Sequence, residues 1–210
     1  MRSVFLALCL SACAPTQAQP PTEAPQNPHG RALAAGETDA IFAGGCFWCM
    51  ESSLEAVPGI LEVESGYSGG APNPSYKAVG SGATKHAEVV RVIYDPKVIG
   101  YDKLLDTFWH NIDPTQANGQ FCDRGRQYRS AVFAGSPEEK ALALATKTKV
   151  AEQLSQPIVT EIVDRAEFWY AEDYHQDYYK KNPAHYQRYR LGCGRDRRLE
   201  ELWGKAPASH

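Results

Sequence analysis

Two cysteines three residues apart lie in the run Ile41-Phe42-Ala43-Gly44-Gly45-Cys46-Phe47-Trp48-Cys49-Met50-Glu51. An apolar strand, two glycines and a helix start are the local structure that this run predicts. The first-turn amides of a helix lack intrahelical partners and the macrodipole is positive there, so a thiol at that point is expected to have a stabilised thiolate and a lowered pKa. Cys46 is therefore the candidate nucleophile. Phe47 and Trp48 sit directly beside it and can wall a small apolar pocket. The plainer alternative is two small buried thiols among ordinary core aromatics.

The sequence holds six cysteines, at positions 9, 13, 46, 49, 122 and 193. A zinc site calls for two close pairs, and only Cys46/Cys49 is close, so no metal is expected. Haem attachment fails because Met50, not histidine, follows Cys49. A thiol–disulfide oxidoreductase using Cys46 and Cys49 is the alternative function, since Cys-x-x-Cys after a strand is the thioredoxin signature, although here the tryptophan lies between the cysteines. Cys193 stands between Gly192 and Gly194 and is expected on a segment free to move. Cys122 is expected to be a buried thiol, with a further redox relay as the alternative. His175 and His185 lack metal-ligand spacing and are expected to make structural hydrogen bonds. Glu51 is assigned to the helix dipole, and Arg188, Arg190, Arg195, Arg197 and Arg198 to a solvated or salt-bridged surface.

The elements that must position these groups alternate in type. A strand is expected near 39–43, a helix from Cys46 to Ala56 stopped by Pro58-Gly59, and a strand near 60–67. Gly69-Gly70-Ala71-Pro72-Asn73-Pro74 forces a loop. His86–Tyr94 fits a buried strand, and Tyr101–Ile112 has apolar residues at helix spacing. Residues 113–128 form a long irregular connection, of a length that is often functional. A strand at 130–134, a helix capped by Ser136 with Pro137 at its first position, and a strand at 158–164 follow.

With 210 residues and a formal net charge of −3, there is no broad basic field, so nucleic-acid binding is not expected. Residues 1–12 have a charged start and a short apolar run, the shape of a secretory signal and too short to span a bilayer. Leu10-Ser11-Ala12-Cys13 resembles the bacterial lipoprotein box, which implies cleavage before Cys13 and a lipid on it. Cleavage after Ala18 is the alternative. Residues 13–38 are then expected to be the lipidated cysteine and a disordered Pro-rich tether, and 39–205 the catalytic domain. The expected location is the periplasm or cell envelope, with lipid anchoring to a membrane.

Five motifs occur in order: Gly44-Gly45-Cys46-Phe47-Trp48; Gly66-Tyr67-Ser68-Gly69-Gly70 with Asn73-Pro74-Ser75-Tyr76; His86-Ala87-Glu88-Val89-Val90; Asp123-Arg124-Gly125-Arg126-Gln127-Tyr128-Arg129-Ser130; and Tyr174-His175-Gln176 with Lys181-Asn182-Pro183. Together they closely resemble the A-type peptide methionine sulfoxide reductases. The resemblance implies an α+β, two-layer ferredoxin-like sandwich with a mixed β-sheet, flanking helices and a long irregular C-terminal segment. It implies reduction of the S epimer of methionine sulfoxide, free or in oxidised proteins, with no bound cofactor and a thioredoxin-like dithiol as external reductant. A monomer is expected. Cys46 would attack sulfur, Glu88 would supply the proton, Tyr76 and Tyr128 would bond the oxygen, Phe47 and Trp48 would grip the methyl, and Asp123 would stand beside the pocket. Cys49 and Cys193 are the candidate resolving thiols, with Cys49 preferred as first partner. Cys49 departs from the commoner family pattern, which has glycine there.

Overall fold

Apolar residues over Thr38–Gly44 form the first strand, β1, near the middle of a six-stranded sheet. The computed structural model describes residues 29–204. The expected signal, Cys13, the cleavage site at Ala18 and the tether up to residue 28 lie outside the described residues. After β1 come α1 (Phe47–Leu54), β2 (Ile60–Ser68), α2 (Tyr76–Gly80), β3 (Ala87–Tyr94) and α3 (Tyr101–His110). The short strands β4 (Gly119–Gln120) and β5 (Asp123–Arg124) precede a 3-10 turn at Arg126–Tyr128 and β6 (Ser130–Ala134). Then follow α4 (Pro137–Leu154), β7 (Glu161–Asp164), β8 (Phe168–Tyr170), α5 (Tyr178–Lys181), α6 (Pro183–Cys193) and α7 (Arg195–Trp203).

The sheet order is β7-β6-β1-β3-β2-β8. Only β6 and β7 pair in parallel; the other neighbours are antiparallel, so the sheet is mixed as expected. The period of two divides each strand between faces. Ala40, Phe42, Val90, Val92 and Val132 point to the helical side, where they pack with Met50, Leu54, Leu104, Phe108 and Trp109. Ile41, Ala43, Val89, Ala131, Phe133 and Phe168 form a smaller cluster on the other side. On β3 this parity sends Glu88 to the same side as Val90, beneath α1.

Buried Arg91 pairs with Asp39 and with Glu64, the latter at 3.0 Å, and donates to the carbonyls of His29 and Arg31. Arg31 in turn meets Glu37 at 2.6 Å and also pairs with Glu62. Charges removed from water persist when they are paired in this way. The strap from His29 to Glu37, expected to be the end of the tether, is thus fastened to the domain.

The C-terminal part carries more helix than its composition suggests. Residues 171–177 are irregular, but α5, α6 and α7 follow. Pro183 occupies the first turn of α6, and Gly194, at φ 69°, caps it in the left-handed region. These are ordinary start and stop signals, so Cys193 ends a helix and does not ride on a free tail. Within the 113–128 connection, β4 and β5 pair as a short hairpin around Phe121-Cys122.

Candidate active site

The turn from β1 into α1 is as tight as its glycines allow. A Cβ on Gly44 would lie 2.4 Å from the Met50 sulfur, and Gly45, at φ 86°, would meet Gln120 at 2.5 Å. Cys46 is the N-cap of α1 and only 6% exposed. The Phe47 amide, the first free amide of the helix, donates to Glu88 Oε2 at 3.1 Å. That bond corrects one expectation. The amide that should have stabilised a Cys46 thiolate is occupied by Glu88, and burial, Cys49 and Glu88 together push the Cys46 thiol up. The ionisations of the neighbouring Cys46 and Cys49 thiols are linked. Cys49 is lowered to about 6, first by Cys46 and then, against its burial, by Arg195 and Arg190. The two guanidiniums therefore favour negative charge at Cys49 over Cys46.

Glu88 is 2% exposed, and burial raises its carboxyl from 4.5 to about 8, helped by Asp123 and Cys49. It is protonated at neutral pH, a carboxylic acid able to donate. Tyr76 stands at the start of α2, capped by Ser75, and its amide donates to Glu172 Oε1 at 2.9 Å. Tyr128 closes the 3-10 turn. Burial raises both phenols, and Glu88 and Cys46 add to the shift in each. The two tyrosines, Glu88 and Cys46 therefore share one electrostatic neighbourhood.

Trp48 stacks on Tyr178 at 3.7 Å with rings nearly parallel, and its indole N–H donates to His175 Nδ1 at 3.1 Å. His175 also meets Phe47 at 4.9 Å and Tyr76 at 4.4 Å. It is lowered to about 4 by burial, so it remains neutral. Tyr76, Phe47 and Trp48, drawn from different elements, are thus gathered around one imidazole. Asp123 accepts the Tyr189 hydroxyl at 2.6 Å, and burial raises its carboxyl.

Three expectations change. Glu51 lies in the second turn of α1, 1% exposed, and accepts from the Asp177 amide at 2.9 Å and Ser65 Oγ at 3.3 Å. It ties α1 to the 171–177 segment and does not serve the dipole. Cys122 is exposed and bonded to Cys193, with Cα atoms 4.9 Å apart, so it is no buried thiol. Cys193 is accordingly not a free thiol, whereas Cys46 and Cys49 are free. Arg195 is buried, not solvated, while Arg190 and Arg198 are paired with Asp196 and Asp113.

Tyr189, Tyr178 and Glu172 escaped sequence reasoning. Tyr189 lies three residues after Tyr186 on α6, and no local motif marks it. Its one signal is position, a turn before Cys193 on the same helix.

Two buried free thiols beside a carboxylic acid held neutral by burial, with aromatic side chains packed around them, define a thiol-based oxidoreductase. A model of the peptide methionine sulfoxide reductase family matches residues 38–207. Peptide methionine sulfoxide reductase MsrA of Bacillus subtilis is 52% identical over 168 residues, covering 79% of this chain and 95% of that one. MsrA 2 of Caulobacter vibrioides is 49% identical over 176 residues, covering 82% and 89%. The reduced form of Mxr1 from Saccharomyces cerevisiae superposes with TM-score 0.69 at 36% identity, over 73% of this chain and 90% of that one. The chain belongs to the peptide methionine sulfoxide reductase family and is an oxidoreductase that acts on methionine sulfoxide. This displaces the thiol–disulfide oxidoreductase alternative.

Proposed function

We propose that the chain reduces the S epimer of methionine sulfoxide, free or in oxidised proteins, with Cys46 as nucleophile and Glu88 as proton donor. The observation that carries this reading is Glu88: a buried carboxylic acid, neutral at pH 7 and hydrogen-bonded to the amide next to the thiol. A sulfoxide sulfur is a poor electrophile until its oxygen receives a proton. The substrate methyl enters between Phe47 and Trp48, and the oxygen lies toward Glu88, Tyr76 and Tyr128, whose hydroxyls stabilise it as charge develops. Asp123 holds Tyr189 beside Cys46.

As Cys46 sulfur bonds to the substrate, its proton passes to the neighbouring Cys49 thiolate, and Glu88 protonates the oxygen. The oxygen, now a hydroxyl, passes from the substrate sulfur to the Cys46 sulfur as the S–O bond and the Cys46–substrate S–S bond both break, so methionine leaves reduced by two electrons and Cys46 becomes a sulfenic acid. Cys49 attacks that sulfenic sulfur, water departs, and a Cys46–Cys49 disulfide forms. On a helix, i and i+3 lie on one face within disulfide reach. An external thioredoxin-like dithiol then supplies two electrons and two protons, with no bound cofactor. The exposed Cys122–Cys193 bond is the point of entry, and once reduced it returns Cys46 and Cys49 to thiols by exchange. The support is its accessibility and the place of Cys193 on the helix that also presents Tyr189 and Arg190 to the two thiols.

We also propose export and lipid attachment through Cys13, supported by the box Leu10-Ser11-Ala12-Cys13. No helix among the described residues is long and apolar enough to cross a membrane. Mass spectrometry of the mature N-terminus tests the anchor, and an unmodified terminus at Gln19 refutes it. For the reaction, each sulfoxide epimer is offered with dithiothreitol to the enzyme and to Cys46→Ser. Only the S epimer should turn over, and only with Cys46. Equal use of both, or activity in the variant, refutes the reading.

A further inference from the structure

Arg195 opens α7 with its side chain only 1% exposed. Neighbouring Arg190 and Arg198 each reach a carboxylate, Asp196 at 2.6 Å and Asp113 at 2.7 Å. Arg195 forms no ion pair among the described residues. Its Nη2 lies against the Gly44 carbonyl at 3.1 Å, the Asn111 carbonyl at 2.7 Å and the Met50 sulfur at 3.1 Å, and the Phe121 ring centre is 4.4 Å from the guanidinium carbon. Its Nε has no partner. All of these are neutral groups. A guanidinium stays charged at any ordinary pH, and a buried charge without a counter-charge is strongly unfavourable.

The location of these acceptors is informative. Gly44 lies two residues before Cys46 and Met50 follows Cys49, so the guanidinium lies against the first turn of α1 from below. Phe121 precedes Cys122, and Cys193 stands two residues before Arg195. The Cys122–Cys193 bond therefore holds both sides of the cation–π contact together.

We infer that Arg195 is a positioning residue for the reaction: its buried guanidinium is the fixed counter-cation of a thiolate at Cys49. That thiolate takes the Cys46 proton and later resolves the sulfenic acid, so the inference rests on the roles proposed for Cys49. The charged and titratable groups around Cys49 are Cys46 at the head of α1, Tyr186, Tyr189 and Arg190 from α6, Arg195 from α7 and Glu88 from β3. Tyr186 bonds Ser52 and Arg190, and Arg190 is already answered by Asp196. Glu88 carries its proton at pH 7. Asp123 on β5 also lies in the field of Arg195, but burial raises its carboxyl and it accepts the Tyr189 hydroxyl at 2.6 Å. Unlike Arg190, Arg195 is ion-paired to no carboxylate among the described residues, and the Cys49 thiolate supplies the charge facing it.

The test is a titration of Cys49 that needs no turnover. In a Cys46→Ala background with the Cys122–Cys193 bond intact, Cys49 is the free thiol of the domain, and its rate of alkylation by iodoacetamide is followed against pH. Arg195→Met should move the midpoint up by about one unit, leaving ~10-fold less thiolate at any pH well below it. Arg195→Lys should restore at least about half of that shift, and Arg190→Gln should move the midpoint less than Arg195→Met does. Circular dichroism and thermal melts establish that each variant is folded. An unchanged midpoint in folded Arg195→Met overturns the inference, and so do equal shifts in the Lys and Met variants. If Arg195→Met does not fold, Arg195→Lys decides: a midpoint within about half a unit of the parent supports the role of charge, and a full unit of displacement overturns it. Failure here would leave sulfoxide reduction standing, because the epimer assay tests that independently.

Discussion

Glu88→Gln should make the protein more stable at neutral pH while removing most of its activity. The carboxyl is raised from 4.5 to about 8, chiefly by burial. Between those values the native state holds a proton that the unfolded chain has released, so unfolding is favoured as pH rises. Stability from this group is full below pH 4.5, falls by ~1.4 kcal/mol per pH unit, and levels off above about pH 8. From 4.5 to 7 the loss amounts to about 3 kcal/mol, an order-of-magnitude figure, for a group with 2% exposure. Glutamine has nearly the same shape, keeps an oxygen for the Phe47 amide and carries no charge to desolvate. Urea unfolding of both proteins at pH 5, 6 and 7 should therefore show equal stability near pH 5 and an advantage for Glu88→Gln that grows with pH. Glu51, raised to about 7 mainly by burial, contributes the same slope to both proteins and cancels in the difference. The amide has no acidic proton, so sulfoxide turnover should fall ~10²–10⁴-fold. In the parent enzyme, activity should decline as pH passes through about 8. A stability difference that is flat with pH, or activity retained in the variant, refutes the argument.

In Cys49→Ser, one equivalent of methionine should still form, more slowly because the Cys46 proton has lost its acceptor, and Cys46 should persist as a sulfenic acid that dimedone traps. Rapid appearance of a Cys46–Cys193 link by peptide mapping would instead put Cys193 first. Cys122→Ser should reopen a loop between residues 71 apart and lower stability by up to about 4 kcal/mol, read from denaturant midpoints. The same variant should still make one methionine per chain, while recycling by a thioredoxin-like donor slows. Trp48→Ala removes one wall of the methyl slot and its stack on Tyr178, and should lower kcat/KM ~10–200-fold. An unchanged value would place the methyl elsewhere.

The part of the site that was legible in the sequence is the part written locally. Gly44, Gly45 and Cys46 are neighbours, so a strand, a turn and a helix cap follow from residue types alone. The alternation of β3 places Glu88 on the face of Val90 without knowledge of what lies above it. Ser136 and Pro137 announce α4, and Ser136 Oγ accepts from the Glu139 amide at 3.2 Å as expected. Tyr189 and Arg195 were not legible, because their partners lie 66 or more residues away and no spacing rule links them. The Cys46 pKa is not legible for the same reason: which group takes the Phe47 amide depends on Glu88, 41 residues further on. Cys122 reads as an unremarkable thiol until the hairpin and α6 bring it to Cys193. Glu51 likewise shows its function only when the 171–177 segment is in place.

The strap at His29–Glu37 gives the molecule a back and a front. It is fastened through Arg91, Asp39 and Glu64, on the side of the sheet opposite the helices. Cys46, Cys49 and Glu88 all belong to the helical side. The strap and the catalytic groups are therefore kept apart by the thickness of the sheet, and substitutions that loosen the Arg91 cluster act on the rear face without touching a thiol.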